Sequence, residues 1–270
     1  MIGFNLAQRK PIWNDEILTQ TAAIDKLSYG QIMLGIIKGE GNNHPLFYLI
    51  QKATCDLNHY RFPKAWEGEY LFSDPRSQMI MRIAPNIFMS LSVILLFYFF
   101  SSCYSWGVGL YTLLLAFSSS MTWIFWAEAR PYSLWFFLSV VQSLLLLDVI
   151  RKRRFEPLVY RAFVMIHFLL ALTAIVSILQ IAVISILFWF LIKERRLASY
   201  IYLTFLPIGV SAFYYFQSSR FKLAMPSSWW NLIAPHLPPD RMVFFIIYVI
   251  FLLGYIMKTK TPAHPAVTAG

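Results

Sequence analysis

Charge is what this sequence has least of. Asp, Glu, Lys and Arg make up 13% of its 270 residues while 58% are hydrophobic, and a soluble domain carries about a quarter charged residues. So few charges cannot cover a water-facing surface for a chain of this length. Cysteine is rarer still: Cys55 and Cys103 are the whole supply. The topology derived below puts them near opposite faces, so no disulfide between them is expected. Neither a Walker-type phosphate loop nor a GxGxxG fingerprint occurs, which argues against an ATP-driven or nucleotide-cofactor enzyme. Met1 to Glu16 contain no apolar core of signal-peptide length, so no cleaved leader is expected.

Aromatic residues are abundant. They form 18% of the chain, with nine Trp and fifteen Tyr, which suits a protein that needs amphipathic rings at two membrane interfaces. The net charge of +10 would favour nucleic acid only as a basic stripe on a soluble fold. Here many of the basic residues stand in short runs between apolar stretches, the pattern of cytoplasmic loops and of contact with anionic headgroups. Membrane lipid is therefore the expected partner, and nucleic acid is not.

Length and charge then set the topology. No charged residue occurs between Arg82 and Glu128, a stretch that would run about 65 Å as one helix, roughly twice the hydrocarbon thickness. Two spans are expected, at 84–103 and 106–125. The next apolar run, 131–150, ends in Arg151-Lys152-Arg153-Arg154, which marks that end as cytoplasmic. The uncharged run from Arg161 to Lys193 fits a hairpin of two short spans turning near Ser177 to Gln180, which keeps its flanking basic residues on one side. A sixth span is expected at 199–216, kinked at Pro207, and a seventh at 242–257 after a proline-rich outer loop at 217–240. The expected fold is thus an all-α polytopic membrane protein of about seven transmembrane helices. Residues 1–82 form an outer, periplasmic or lumenal, loop with juxtamembrane helices, 83–257 the bundle, and 258–270 a disordered cytoplasmic tail.

Within the outer loop, Ile17, Leu18, Thr21 and Ile24 fall on one side of a helix. Tyr29, Ile32, Met33, Ile36 and Ile37 repeat at helical spacing, predicting a surface-lying amphipathic helix closed by Gly39 and Gly41. Gly41 to Pro45 reads as a turn, after which Leu46 to Leu57 resumes a helical pattern.

Five motifs follow one another: Asn14-Asp15-Glu16, the amphipathic stretch, His44-Pro45-Leu46-Phe47-Tyr48, Arg82-Ile83-Ala84-Pro85 opening a span, and Glu128-Ala129-Arg130-Pro131-Tyr132 opening another. In this order and spacing, over roughly residues 12–195, the chain resembles the C-type glycosyltransferases. The likeness is nearest to the branch of protein O-mannosyltransferases and lipid A aminoarabinose transferases. The resemblance implies transfer of a sugar from a polyprenyl-phosphate carrier to an acceptor hydroxyl on the non-cytoplasmic face, with Asp15 as catalytic base and Glu16 beside it. The acceptor is a protein, a lipid or a glycan. Members of that family usually begin with a span ahead of the Asp-Glu loop and continue through further spans, so a truncated or divergent member is expected.

The residues also admit these roles on their own chemistry. A carboxylate within reach of an acceptor hydroxyl helps remove its proton as the bond to the anomeric carbon forms; alternatively Asp15 is an N-cap for the helix from Glu16. Arg130 and Arg82 are candidate ligands for a carrier phosphate, or partners of nearby acids and snorkelling residues. Tyr132 is either a donor contact or part of the aromatic belt. His44 is either a donor contact or a turn residue; His167 is expected to be hydrogen-bonded inside the bundle. No cofactor and no metal site can be named, and His236 in the outer loop is unsupported. Two other functions stay open: a transporter or flippase, and a non-catalytic remnant of the family.

Overall fold

The computed structural model describes residues 10–37, 43–61, 75–152, 156–191 and 200–217. Every regular element among them is helical. The expected outer loop at 217–240, the span at 242–257, the tail and the closing glycines Gly39 and Gly41 lie outside the described residues, save Gln217 at the loop's first position.

The amino-terminal segment opens with α1, Asn14–Leu18, which passes into a π-helical turn, Thr19–Ile24. The expected face forms in part: Ile17 and Ile24 are buried, but Leu18 is exposed. Helix α2 covers only Tyr29–Met33, shorter than the amphipathic helix the spacing predicts. It is started by Ser28, whose hydroxyl accepts from the Gln31 backbone N–H while the Gln31 side chain accepts from the Ser28 N–H. It is stopped by Gly35 at φ +70°, the left-handed conformation that ends helices. Past that stop Ile36 points outward and Ile37 inward. Helix α3, Pro45–Leu57, begins one residue earlier than expected and takes the turn's proline as its first residue, where a missing N–H costs nothing.

Helix α4, Pro75–Met81, leads into α5, Ile83–Cys103. Pro85 has no N–H to offer the carbonyl of Met81 four residues back, and the Gln51 side chain donates to that oxygen at 2.8 Å. The expected second span is divided into α6, Trp106–Ser118, and α7, Ser120–Trp126, bent by 73° at Ser119. Trp123 Nε1 bridges the break by donating to Phe117 O at 2.7 Å, and Phe117, Trp123 and Trp126 stack beside it. Helix α6 comes so close to α5 that a Cβ on Gly109 would lie 1.8 Å from Ser101 Oγ and 3.2 Å from Phe97 Cδ2. Glycine is what permits that approach.

Helix α8, Tyr132–Lys152, agrees with the third expected span. The hairpin expected between Arg161 and Lys193 forms from α9, Pro157–Ala171, and α10, Ser177–Leu191. It turns at 172–176, earlier than expected, because α9 starts farther back at a first-turn proline. A π-helical segment, Ile201–Phe205, then continues as α11, Leu206–Gln217. Pro207 is the cause of that irregularity: it leaves the Leu203 carbonyl without its helical donor, and His167 Nδ1 lies 2.6 Å from that oxygen. Since a carbonyl only accepts, His167 carries its proton on Nδ1.

Helices α5 and α8, 21 residues each, are long and apolar enough to cross a membrane, and α6 with α7 makes a third if the bent pair is one span. This marks a membrane protein. At 15 residues each, α9 and α10 run about 23 Å, short of the roughly 30 Å hydrocarbon layer. Two buried clusters fix how the helices alternate. In one, Ile12, Ile17, Ile24 and Phe47 of the amino-terminal segment pack with Leu134 near the start of α8, Leu170 near the end of α9 and Ile181 near the start of α10. In the other, Val149, Phe163, Phe188 and Leu203 gather the opposite ends, beside the ion pairs of Arg151 and Lys152 with Asp148.

Candidate functional site

Glu16 is the third residue of α1, and its carboxylate turns back to accept the backbone N–H of Trp13 at 2.9 Å. The other oxygen accepts the backbone N–H of Ala129, in the turn between α7 and α8, at 2.6 Å. Arg82, at the start of α5, closes on both oxygens, Nε to Oε1 at 3.1 Å and Nη2 to Oε2 at 2.8 Å. Its remaining reach goes to the carbonyls of Lys10, 2.6 Å, and Pro11, 3.0 Å. Both side chains are closed off from solvent, at 1% and 0% exposure. A charge pair this deep persists only when its hydrogen-bonding capacity is met, and here a bidentate fork and two backbone amides meet it. The pair ties three distant pieces of chain together: residues 10–16, the head of α5, and the turn before α8.

Beside that pair lies a second layer, open at Asp15 and half-buried at Arg130, Lys10 and Glu128. Asp15 precedes Glu16 by one residue, so helical rotation turns it the other way, and its side chain is 66% exposed. Arg130 Nη2 lies 3.5 Å from its carboxylate, and Nη1 lies 3.4 Å from its backbone carbonyl. The Arg130 guanidinium also sits 5.7 Å from the centroid of the Tyr132 ring. Lys10 Nζ pairs with Glu128 at 2.6 Å and sits over the Trp13 ring at 5.3 Å. The surface thus carries two carboxylates, two cations and two exposed rings, each ring with a cation against it.

The expected site residues divide accordingly. Asp15, Arg130 and Tyr132 come together on this surface. Glu16 and Arg82 lie beside it, and Arg82, expected as a phosphate ligand, has its guanidinium wholly buried among protein partners. Asp15 is not the N-cap of α1; Trp13 occupies that position and Asp15 is the second helical residue. Glu128, the acid nearest to Arg130 in sequence, holds Lys10 instead. His44 is drawn elsewhere: it caps α3, is buried, and its Nε2 lies 3.0 Å from Ser211 Oγ of α11, with its ring 5.8 Å from that of Tyr214. Burial lowers its pKa to about 4, so the imidazole is neutral at pH 7. Its place is a core anchor between α3 and α11, because a turn that delivers α3 into the bundle must bury its first residue.

Lys10 and Trp13 carry no functional reading in the sequence. The Trp13-to-Glu16 spacing of a reach-back cap was a local signal for one of them; the Lys10–Glu128 pair spans 118 residues and has none. Among the described residues no group of three or more His, Cys, Asp or Glu side chains is placed to hold a metal ion. Comparisons with family models, with curated proteins and with solved structures give no match.

Chemically, the open layer offers an accessible carboxylate that can take a proton, beside a guanidinium whose N–H groups suit phosphate oxygens. The buried layer holds the backbone of Asp15 still.

Proposed function

We propose that this protein is a membrane glycosyltransferase that moves a sugar from a polyprenyl-phosphate carrier to an acceptor hydroxyl on the non-cytoplasmic face of a bundle of about seven helices. The observation that carries the reading is the Asp15–Arg130 pair, an open carboxylate beside a half-buried guanidinium, next to a buried, fully bonded Glu16–Arg82 pair. In the reaction the acceptor oxygen forms a bond to the anomeric carbon as the bond from that carbon to the phosphate oxygen breaks. Asp15 takes the hydroxyl proton, and the bonding pair leaves with the polyprenyl phosphate. Arg130, with Lys10 nearby, stabilises the charge that concentrates on the departing phosphate. Tyr132 supports Arg130 through its ring. Glu16 and Arg82 act as positioning residues.

The test is transfer of labelled sugar from a lipid-linked donor by the purified protein. Activity is expected to collapse in Asp15→Asn; activity that survives unchanged removes Asp15 from the mechanism.

One observation favours a second reading, transport. Halfway along α8, Gln142 accepts from Gln180 of α10 at 2.5 Å, and Gln180 accepts from Ser139 at 3.0 Å. Thr204 donates to Ser185 at 2.6 Å, and His167 bonds the π-helical segment. Polar layers with an irregular helix at mid-depth are where transporters bind substrate. Flux across proteoliposomes without a covalent product would favour this reading over transfer.

A further inference from the structure

Helix α2 and the turn after it are apolar on two sides. Ile32 and Ile37 are buried, while Tyr29, Met33, Leu34 and Ile36 are each 45–50% exposed. No charged residue interrupts the sequence between Lys26 and Lys38. A segment that turned its outer side to water would carry polar groups there, whereas one that is apolar on both sides has two apolar neighbours. Its position names the second neighbour. Tyr29 of α2 donates to Asp56 of α3 at 2.8 Å, and α3 lies across the heads of both membrane-length helices. Gln51 donates to Met81 O just before α5, and Phe47 packs in one cluster with Leu134, the third residue of α8. Tyr214 of α11 donates to Met33 O at 2.8 Å, and its ring stands 2.9 Å from where a Cβ on Gly35 would lie. Since α11 runs on to Gln217, the stretch 33–35 sits beside its last turn and not past its end. At that depth the medium around the bundle is the edge of the outer leaflet. Lys26 and Lys38, at the two ends of the uncharged stretch, complement lipid phosphates there.

We infer that residues 33–36 dip into the outer leaflet, with Met33, Leu34 and Ile36 among the upper acyl chains of phospholipid and Tyr29 at the level of the headgroups. The single apolar face expected of this helix is divided: Ile32 and Ile37 go to the protein, Met33 and Ile36 to lipid. This lipid contact does not rest on sugar transfer.

The wild-type protein is tested first, in nanodiscs of phosphatidylcholine and phosphatidylglycerol that include a phosphatidylcholine with a diazirine near the top of one acyl chain. After photolysis, trypsin cuts after Lys26 and Lys38, and the peptide between them is expected to carry lipid adducts at Met33, Leu34 or Ile36. Depth is then read from a nitroxide placed in turn at Met33→Cys, Leu34→Cys, Ile36→Cys and Lys26→Cys, all exposed positions, in a Cys103→Ser background. Cys55 can remain, because burial pushes its thiol up to about 11 and leaves it unreactive. The ratio of collisions with oxygen to collisions with a water-soluble nickel chelate should be at least roughly fivefold higher at 33, 34 and 36 than at 26, the contrast between a site about 5–10 Å into the leaflet and one in water. Two results overturn the inference. A peptide without adducts would mean that protein covers the face, and nickel access at 33, 34 and 36 equal to that at 26 would put it in water. Because the photolabelling uses the wild-type chain, a cysteine variant that misfolds does not remove the test.

Discussion

Two neighbouring acids, Asp15 and Glu16, have opposite fates in this protein. Glu16 is sealed against Arg82 and takes hydrogen bonds from two backbone amides. Asp15 stands open to solvent with Arg130 at its edge. A helix rotates about 100° per residue, so a single position separates the inside of the assembly from its surface. The pairing of acid with arginine is the same in both; the surroundings differ, and surroundings decide what an ion pair can do. A sealed pair resists exchange of partners, because separating it strands a charge away from water. An open one exchanges its partner for water or a substrate at little cost.

The strongest way to break this comparison is to remove one side of the sealed pair. Glu16→Ala or Arg82→Ala should cost about 3–5 kcal/mol, since each strands a buried charge, and should appear as a large fall in thermal midpoint in detergent. Arg82→Lys should not restore it, because an ammonium cannot reproduce the fork. If either alanine variant melts like wild type, the sealed pair is not what holds residues 10–16 in place.

Asp15→Asn should do the reverse: transfer falls by about 10²–10⁴ if the carboxylate is the base, while the midpoint stays within the range of a surface substitution, about 0.5 kcal/mol. A melting change as large as that of Glu16→Ala would erase the distinction between the two acids.

His44 supplies a contrast with no charge at all. Its pKa is lowered from 6.5 to about 4 by burial, so the unfolded chain binds the proton more readily than the folded one. Its contribution is therefore full above pH 6.5 and is lost as the pH falls toward 4. The contribution amounts to about 3 kcal/mol at most. His44→Gln should flatten the pH dependence of the melting midpoint across that window; an unchanged slope would show that other groups carry it.

The smallest effect is expected from the half-open pair. Lys10→Ala or Glu128→Gln should change stability by no more than about 1 kcal/mol, read in the same melting assay. A larger loss would place Lys10 and Glu128 with the sealed pair.

Much of the helical plan is legible in the chain because it depends on composition. Uncharged runs predict α5 and α8, and Pro45 and Gly35 mark ends that local backbone chemistry sets, although the sequence reading carried the second helix past Gly35. The break inside 106–125 was harder to read. Three serines in a row, Ser118-Ser119-Ser120, permit a bend, but its 73° angle depends on Trp123 finding the Phe117 carbonyl. The site was partly legible: the acids and arginines stand out as rare charges beside apolar runs, yet which of them are buried is not a property of any motif.

What the sequence determined by itself is the class of structure, since too few charges exist to cover a soluble surface and apolar runs of this length pair with lipid whatever surrounds them. It also brought Asp15, Glu16, Arg82 and Arg130 under suspicion, because a scarce charge beside a membrane segment needs a partner or a task. Only the tertiary structure decided who pairs with whom. Arg82 finds Glu16 across 66 residues, and Ala129 offers its amide across 113, and contacts of that range are set by how helices pack rather than by local propensity. That packing buries one acid and leaves its neighbour open.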